Sequence, residues 1–285
     1  MTLSALLIIL VAAALHATWN LLIKKLNGGP ELIWMFSVLS VILYFPALVY
    51  LLITSDLNFS LQAMVFMCGS GLLHLAYFLL LQTGYRHGDL SLVYPIARAT
   101  GPLLATVFAV AVLGEQASAQ VIAGGLCIVI GVLFLTGGIR RSGSKKGSSL
   151  MFGLATGGLI GCYTVWDAYA VSVVLVSPLV IDYFSNIFRG FALLPHALKN
   201  KASLVDLWRN QKLPIFAIAL LSPLAYILVL HVYTYTPVVY VAPVREVSVL
   251  FTVIAGVVIL KERELASRLI WGMLILAGIG LLAMG

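Results

Sequence analysis

Apolar runs of about twenty residues follow one another along the whole chain, each closed by a short polar stretch, and this rhythm predicts ten helical spans. They cover residues 3–23, 32–53, 61–83, 90–113, 121–135, 150–173, 179–198, 213–234, 238–260 and 269–284. The strict polar alternation over about ten residues that marks a barrel strand is absent. The pattern is also written twice. Trp19-Asn20 recurs as Trp166-Asp167, Leu75-Ala76-Tyr77 as Leu224-Ala225-Tyr226, Arg98 as Arg245, Leu113-Gly114-Glu115 as Leu260-Lys261-Glu262, and Gly124 and Gly137 as Gly272 and Gly285, all about 147 to 149 residues apart. Five spans per copy is an odd number, so the second copy must enter the bilayer upside down. The sequence therefore predicts an all-α polytopic membrane protein of two inverted five-helix repeats, 1–139 and 150–285, joined by a basic Gly/Ser linker at 140–149.

Composition agrees with a lipid solvent. The chain is 62% hydrophobic and 9% charged, against about 25% charged in soluble domains, too little polar surface to face water. The first span lacks a basic leader and a small-residue cleavage site and has a partner in the second half, so it is expected to be retained. Cys68, Cys127 and Cys162 share no loop and no metal-ligand spacing; they read as apolar thiols.

Of the seventeen Lys and Arg, fourteen fall in the odd-numbered connections: Lys24, Lys25, Arg86, Arg140, Arg141, Lys145, Lys146, Lys199, Lys201, Arg209, Lys212, Lys261, Arg263 and Arg268. Basic loops stay on the cytoplasmic side during insertion, so both termini are expected outside, in the inner (plasma) membrane of a prokaryote. The net charge of +7 is thus a topology signal, dispersed over short loops, and does not indicate a nucleic-acid partner.

Six charges lie inside the spans: Arg98, Arg189, Arg245, Asp167, Asp182 and Glu246. A charge at the bilayer centre costs about 3 kcal/mol even on the lenient insertion scale, so each needs a reason. Three positive against three negative charges permit a structural reading in which they tie helices together. Asp182 and Arg189 are seven residues apart, too far for a direct local pair. Arg98 and Arg245 are repeat mates, each about eight residues into its span and hence ~12 Å from one face, on opposite sides of the midplane once the copy is inverted. They would bracket a central cavity. On a continuous ninth helix Ser248 and Thr252 share the face of Arg245, whereas Glu246 points about 100° away toward Ala242, Val249 and Val253. Glu246 and Asp167 are then candidates for proton coupling as well as for helix tying. On the fourth span the Arg98 face continues through Gly101, Pro102 and Ala105, small residues suited to close packing or a hinge.

Aromatic residues with a polar handle form a second constellation. His16, Trp19 and Asn20 end the first span, and Tyr163, Trp166 and Asp167 hold the equivalent places in the sixth; His74 and Tyr77 in the third are answered by Ser222 and Tyr226 in the eighth; Tyr94 lies one turn before Arg98. Such rings suit a site where an organic solute stacks and is hydrogen-bonded. Trp and Tyr also favour membrane interfaces, the competing reading for Trp19 and Tyr233 near span ends. His196 and His231 read as packing or interface residues.

The motif His16-Ala17-Thr18-Trp19-Asn20 with Lys24, then Pro95, Gly114-Glu115, and the counterparts Trp166-Asp167, Pro243 and Lys261-Glu262, resembles the EamA-type branch of the drug/metabolite transporter superfamily. The resemblance spans essentially the whole chain. It implies a basket of helices around one cavity lined by spans 1, 3, 4, 6, 8 and 9, with 5 and 10 peripheral, moving small metabolites or cationic drugs. Lys261 stands where the first copy has Gly114, a departure that puts a turn role there in doubt. Glu115 and Glu262 read as acids organising a tight turn.

The expected protein is a secondary transporter for a small polar metabolite, an amino acid or related zwitterion or organic anion, working by alternating access. Arg98 and Arg245 would hold the anionic end, Trp19, Tyr77, Trp166 and Tyr226 would flank the body, and Asn20 or Asp167 would take an amine, with His74, Tyr94, Tyr163 and Ser248 completing the expected binding residues. A lipid flippase or scramblase, a cationic drug exporter and a membrane scaffold are the alternatives. No HExxH, Cys/His set or phosphate loop points to an enzyme, a metal or a cofactor; the partners are the solute and membrane lipid.

Overall fold

The computed structural model describes residues 1–26, 29–87, 90–135, 146–251 and 265–284, and these are almost entirely helical. The helices are α1 (Leu3–Leu26), α2 (Pro30–Thr54), α3 (Leu61–His87), α4 (Leu90–Phe108), α5 (Ala119–Leu135), α6 (Lys146–Ser172), α7 (Pro178–Lys199), α8 (Lys201–Tyr233), α9 (Val238–Arg245) and α10 (Leu265–Met284). Among the described residues six segments are long and apolar enough to cross a membrane: Leu3–Ile23, Pro30–Thr54, Leu61–Gly84, Ile96–Leu113, Gly147–Ser172 and Lys201–Tyr233. α5 and the end of α10 are apolar but shorter.

Helix starts and stops follow local chemistry. Pro30 and Pro178 open α2 and α7 at the first turn, where the missing N–H has no intrahelical acceptor to lose. α4 passes into a π-helical turn, Ala109–Leu113, that closes on Gly114 at φ +69°. A side chain there would be strained, and the left-handed turn sends Glu115 across to α9. α8 is longer than the expected span because ten further residues precede a break at Gln211 (φ −134°, ψ 29°); Pro214 has no N–H for the Asn210 carbonyl.

The ninth span departs furthest from expectation. α9 ends at Arg245, residue 246 is a turn, and helix resumes at 247–251. Pro243 cannot donate within α9, and around it the bonds tighten to three-residue closures, from the Glu246 N–H to the Pro243 carbonyl (3.0 Å) and from the Val249 N–H to the Glu246 carbonyl (2.9 Å). The helical-wheel argument for residues 245–253 fails at this break. Gly137, the linker through Lys145, Thr252, Val253, Lys261, Glu262 and Gly285 lie outside the described residues, as do the side chains of Lys24 and Pro95.

Packing respects the duplication. α3 packs on α6 and α7, while α8, its counterpart, packs on α1 and α2, the counterparts of α6 and α7; α2 and α7 pack on each other, and so do α5 and α10. Glycine sets two close approaches, of α6 to α4 and of α5 to α10. Gly153, Gly157 and Gly161 lie at four-residue intervals on α6 and would drive a Cβ into Ile96, Thr100 and Leu104 of α4, and Gly101 of α4 meets Ile160 in the same way. On the other side Gly124 of α5 and Gly278 of α10 each stand against the other's carbonyl.

The distribution of polarity is inverted relative to a soluble protein. Large apolar residues face outward, among them Leu3, Leu7, Val11, Ile42, Phe45, Leu72 and Met273, while Arg98, Asp167, Asp182, Asn186, Glu246 and Ser248 are buried. Such a surface is stable only against lipid. Cys68 and Cys162 lie on that outer surface rather than in the core, and all three thiols are free.

Candidate functional site

Where α1, α4, α8 and α9 converge, a small cavity is lined by Ala12, Ala13, His16, Arg98, Ala225, Tyr226, Val229, Arg245 and Ser248. It has room for water and little more. Small residues of α1 and α8 make the apolar wall. The charged wall comes from α4 and from the broken ninth span, where the turn at Glu246 lets consecutive residues point at different partners.

Arg98 is 8% exposed and is held from the broken span: Nε lies 3.0 Å from Glu246 Oε2 and Nη2 donates to Ser248 Oγ at 3.1 Å. The Nε contact is an ion pair without the alignment of a hydrogen bond. Glu246 therefore faces Arg98 and not the apolar side expected from a continuous helix. Arg245 is placed otherwise. Its Nη1 donates to Tyr233 Oη at 3.5 Å, its guanidinium lies 5.7 Å from the centre of the Tyr226 ring, and Tyr163 lies within its electrostatic reach. Among the described residues no carboxylate stands within ion-pair distance of it.

Behind the cavity lies an aromatic layer from α3, α6 and α8. His74 Nε2 sits 2.9 Å from Asp167 Oδ2, to which the Tyr226 hydroxyl also donates, and 3.2 Å from that hydroxyl. The Tyr163 ring packs on His74 at 4.2 Å and meets Tyr77 edge-on at 5.6 Å. These residues join because α6 is drawn onto α4 by its glycines while α3 packs on its other side.

The other expected site residues fall outside the cavity wall. Trp19 packs edge-on against His16 at 4.7 Å and lies on the apolar cluster of α2 and α8, its Nε1 without a hydrogen-bond partner among the described residues. Asn20 is half-buried beyond it. Tyr94 is half-buried within electrostatic reach of Arg98 and Glu246. Trp166 turns away: its Nε1 donates to the Phe66 carbonyl at 2.9 Å and its ring fills the place where Gly69 has no side chain, locking α6 to α3. Repeat equivalence with Trp19 could not reveal this, because the glycine that receives the ring is on another helix.

Asn186 was not singled out by the sequence, and Tyr233 and Glu115 take roles the sequence did not assign them. Asn186 connects the pair judged too distant, donating to Asp182 Oδ2 at 2.8 Å and accepting from Arg189 Nη2 at 2.7 Å; its position one turn from each was the available signal. Tyr233 lies two turns after Tyr226 on one face of α8, which outweighs its nearness to the span end. Glu115 caps α9, accepting from the Val238 and Val239 N–H groups at 2.8 and 2.9 Å. His196, near the end of α7, bonds Glu31 at 2.9 Å.

A family model describing the EamA-like transporter family matches residues 3–137 and again 147–284. The chain belongs to the EamA-like transporter family. This family lies within the drug/metabolite transporter superfamily, and its members are membrane transporters rather than enzymes. One solved crystal structure is similar to the EamA-like chain with a TM-score of 0.74 at 18% identity, over 100% of this chain and 98% of its own, which shows the fold alone. No curated protein matches. Tandem matching means that Glu115, capping α9 from the first copy, ties the EamA-like halves together at the broken helix.

Proposed function

We propose that this EamA-like protein is a secondary transporter that carries a small carboxylate-bearing metabolite, an amino acid or related zwitterion or organic anion, by alternating access. The observation that carries the reading is Arg245: a guanidinium at a cavity wall inside the membrane, framed by Tyr163, Tyr226 and Tyr233, with no acid in ion-pair distance among the described residues. A buried cation without a protein counter-ion is stabilised when a solute supplies one, and a planar donor fork suits a carboxylate. Tyrosine rings offer stacking and hydroxyls for the solute body. Arg98, Ser248 and His16 border the same space, with Tyr77, Tyr94 and Asp167 behind it.

The architecture proposed is ten crossings in two inverted repeats, 1–139 and 150–285, rocking about the cavity in the inner membrane of a prokaryote with both termini outside. The exchange of packing partners between halves supports the two-fold arrangement, and the basic connections support the orientation. A reporter fused after Gly285 should be active only outside the cytoplasm; cytoplasmic activity overturns the orientation.

Thermal-shift measurements on the purified protein test the solute class. Carboxylates with an aromatic or apolar body should raise the melting temperature, and Arg245→Gln should abolish the shift. Stabilisation by hydrophobic cations or by lipid headgroups alone would replace this reading with the drug exporter or the flippase.

A further inference from the structure

Two buried acids flank the tyrosine cluster, and they are held in different ways. Glu246 faces the guanidinium of Arg98 at 3.0 Å, a group that keeps its protons, so that pair is a fixed couple of charges. Asp167, fully buried, has as its cationic partner the imidazole of His74 at 2.9 Å. Among the described residues no Arg or Lys comes within ion-pair distance of it, and its Oδ1 has no partner. Imidazole is the side chain whose ordinary titration lies near neutrality. One proton thus decides whether the His74–Asp167 pair is singly negative or neutral.

Titratable and charged groups around this pair come from α3, α6, α7 and α8. They are Tyr163 on α6, against the His74 ring, and Tyr77 on α3 beyond it; Asp182 and Arg189 on α7, Asp182 within electrostatic reach of both His74 and Asp167; and Tyr226 on α8. Tyr226 is shared. Its hydroxyl donates to Asp167, and its ring lies 5.7 Å from the Arg245 guanidinium.

We propose that His74 and Asp167 form a proton-binding site, and that Tyr226 links its occupancy to the solute anion at Arg245, so that solute and proton cross the membrane together in the same direction. The inference rests on the Arg245 reading above. A solute carboxylate beside Tyr226 adds negative charge next to the pair, and the proton removes one; each therefore favours the other, and by reciprocity lower pH tightens solute binding. The proton is taken from water on one side, held between imidazole Nε2 and the carboxylate, and released to water on the other, with no covalent chemistry.

The test uses the full chain in liposomes with a trapped pH dye and L-phenylalanine as the probe, a carboxylate with an aromatic body. With the membrane potential held at zero by equal potassium on both sides and valinomycin, a gradient acidic outside should accumulate phenylalanine about tenfold per pH unit for one proton per solute, and phenylalanine added outside should acidify the lumen. In Asp167→Asn and His74→Gln the protons moved per phenylalanine should collapse toward zero. Wild-type exchange of phenylalanine that ignores the gradient and leaves the lumen pH unchanged overturns the coupling while the transport reading stands. If wild-type protein moves no phenylalanine, the proposed solute class falls. In that case, or if a variant is inert, the 15N resonance of His74, identified by its loss in His74→Gln, decides the proton site. That resonance must respond to pH, and a constant state overturns the site.

Discussion

Arg98 and Arg245 occupy corresponding places in the two copies, yet their surroundings are opposite. Arg98 is met by an acid and a hydroxyl, Glu246 and Ser248. The residues at the equivalent places beside Arg98 in the first copy are Ala99 and Gly101, and Gly101 is spent on close approach to Ile160 of α6. Arg245 consequently has no acid from α4 to answer it and rests among tyrosines. The two copies carry matching arginines with different residues beside them: Arg98 is a tie between halves, and in the function proposed above Arg245 takes its counter-ion from the solute. A repeat-equivalent position is thus a guide to location and a poor guide to role.

The largest expected effect breaks the tie. Arg98→Gln leaves Glu246 buried without its cation and should cost about 3–5 kcal/mol of stability, read as a fall in unfolding midpoint in detergent. Adding Glu246→Gln should recover most of it, since removing both charges removes the uncompensated one. A single variant as stable as wild type would show that Glu246 finds another partner, and Arg98 would join Arg245 as a solute group.

Much of this was legible in the chain. Apolar run length marks the helices because lipid demands it, and two arginines at matched depth in matched spans mark the cavity. Other features were hidden for physical reasons. The wheel for residues 245–253 presumed continuous helix, and Pro243 with the tight closures at Glu246 ends it. The direction of Trp166 depends on Gly69 of another helix. Asn186 carries no charge, so a search for ion pairs passed over the residue that joins Asp182 to Arg189.

The second effect sharpens the other half of the comparison. Arg245→Lys keeps the charge and loses the planar fork, and should weaken carboxylate binding by about 1–3 kcal/mol, with little change in the unfolding midpoint because no buried acid is stranded. Isothermal titration with the stabilising carboxylate checks it alongside melting. Unchanged affinity with lowered stability would make Arg245 a structural cation like Arg98.

A smaller effect is expected where both arginines share support. Glu115 receives two N–H groups at the start of α9, and Glu115→Gln retains a single acceptor oxygen and loses the charge that complements the helix terminus. A loss of about 0.5–2 kcal/mol, the range of helix capping, should appear in the unfolding midpoint, accompanied by weaker solute binding because α9 carries Arg245 at its far end. A stability loss with affinity intact would show that the cap holds the fold without setting the arginine.

The smallest effect concerns Tyr233, which distinguishes framing from pairing. Its hydroxyl accepts from Arg245 at 3.5 Å, the limit of a hydrogen bond, whereas Ser248 accepts from Arg98 at 3.1 Å with Glu246 close by. Removing a long, poorly engaged acceptor costs little, so Tyr233→Phe should lower stability by about 0.5 kcal/mol, the low end for a hydrogen bond, because the ring remains to fill its space. Solute affinity should hold or rise slightly, since the guanidinium gives up one competitor for its donors. If Arg245 were instead held as tightly as Arg98, losing the hydroxyl would strand a buried cation, and the cost would approach that of Ser248→Ala or exceed it. Comparing the unfolding midpoints of Tyr233→Phe and Ser248→Ala therefore ranks the two arginines directly: a larger loss at Tyr233 would reverse the assignment of tie and solute group.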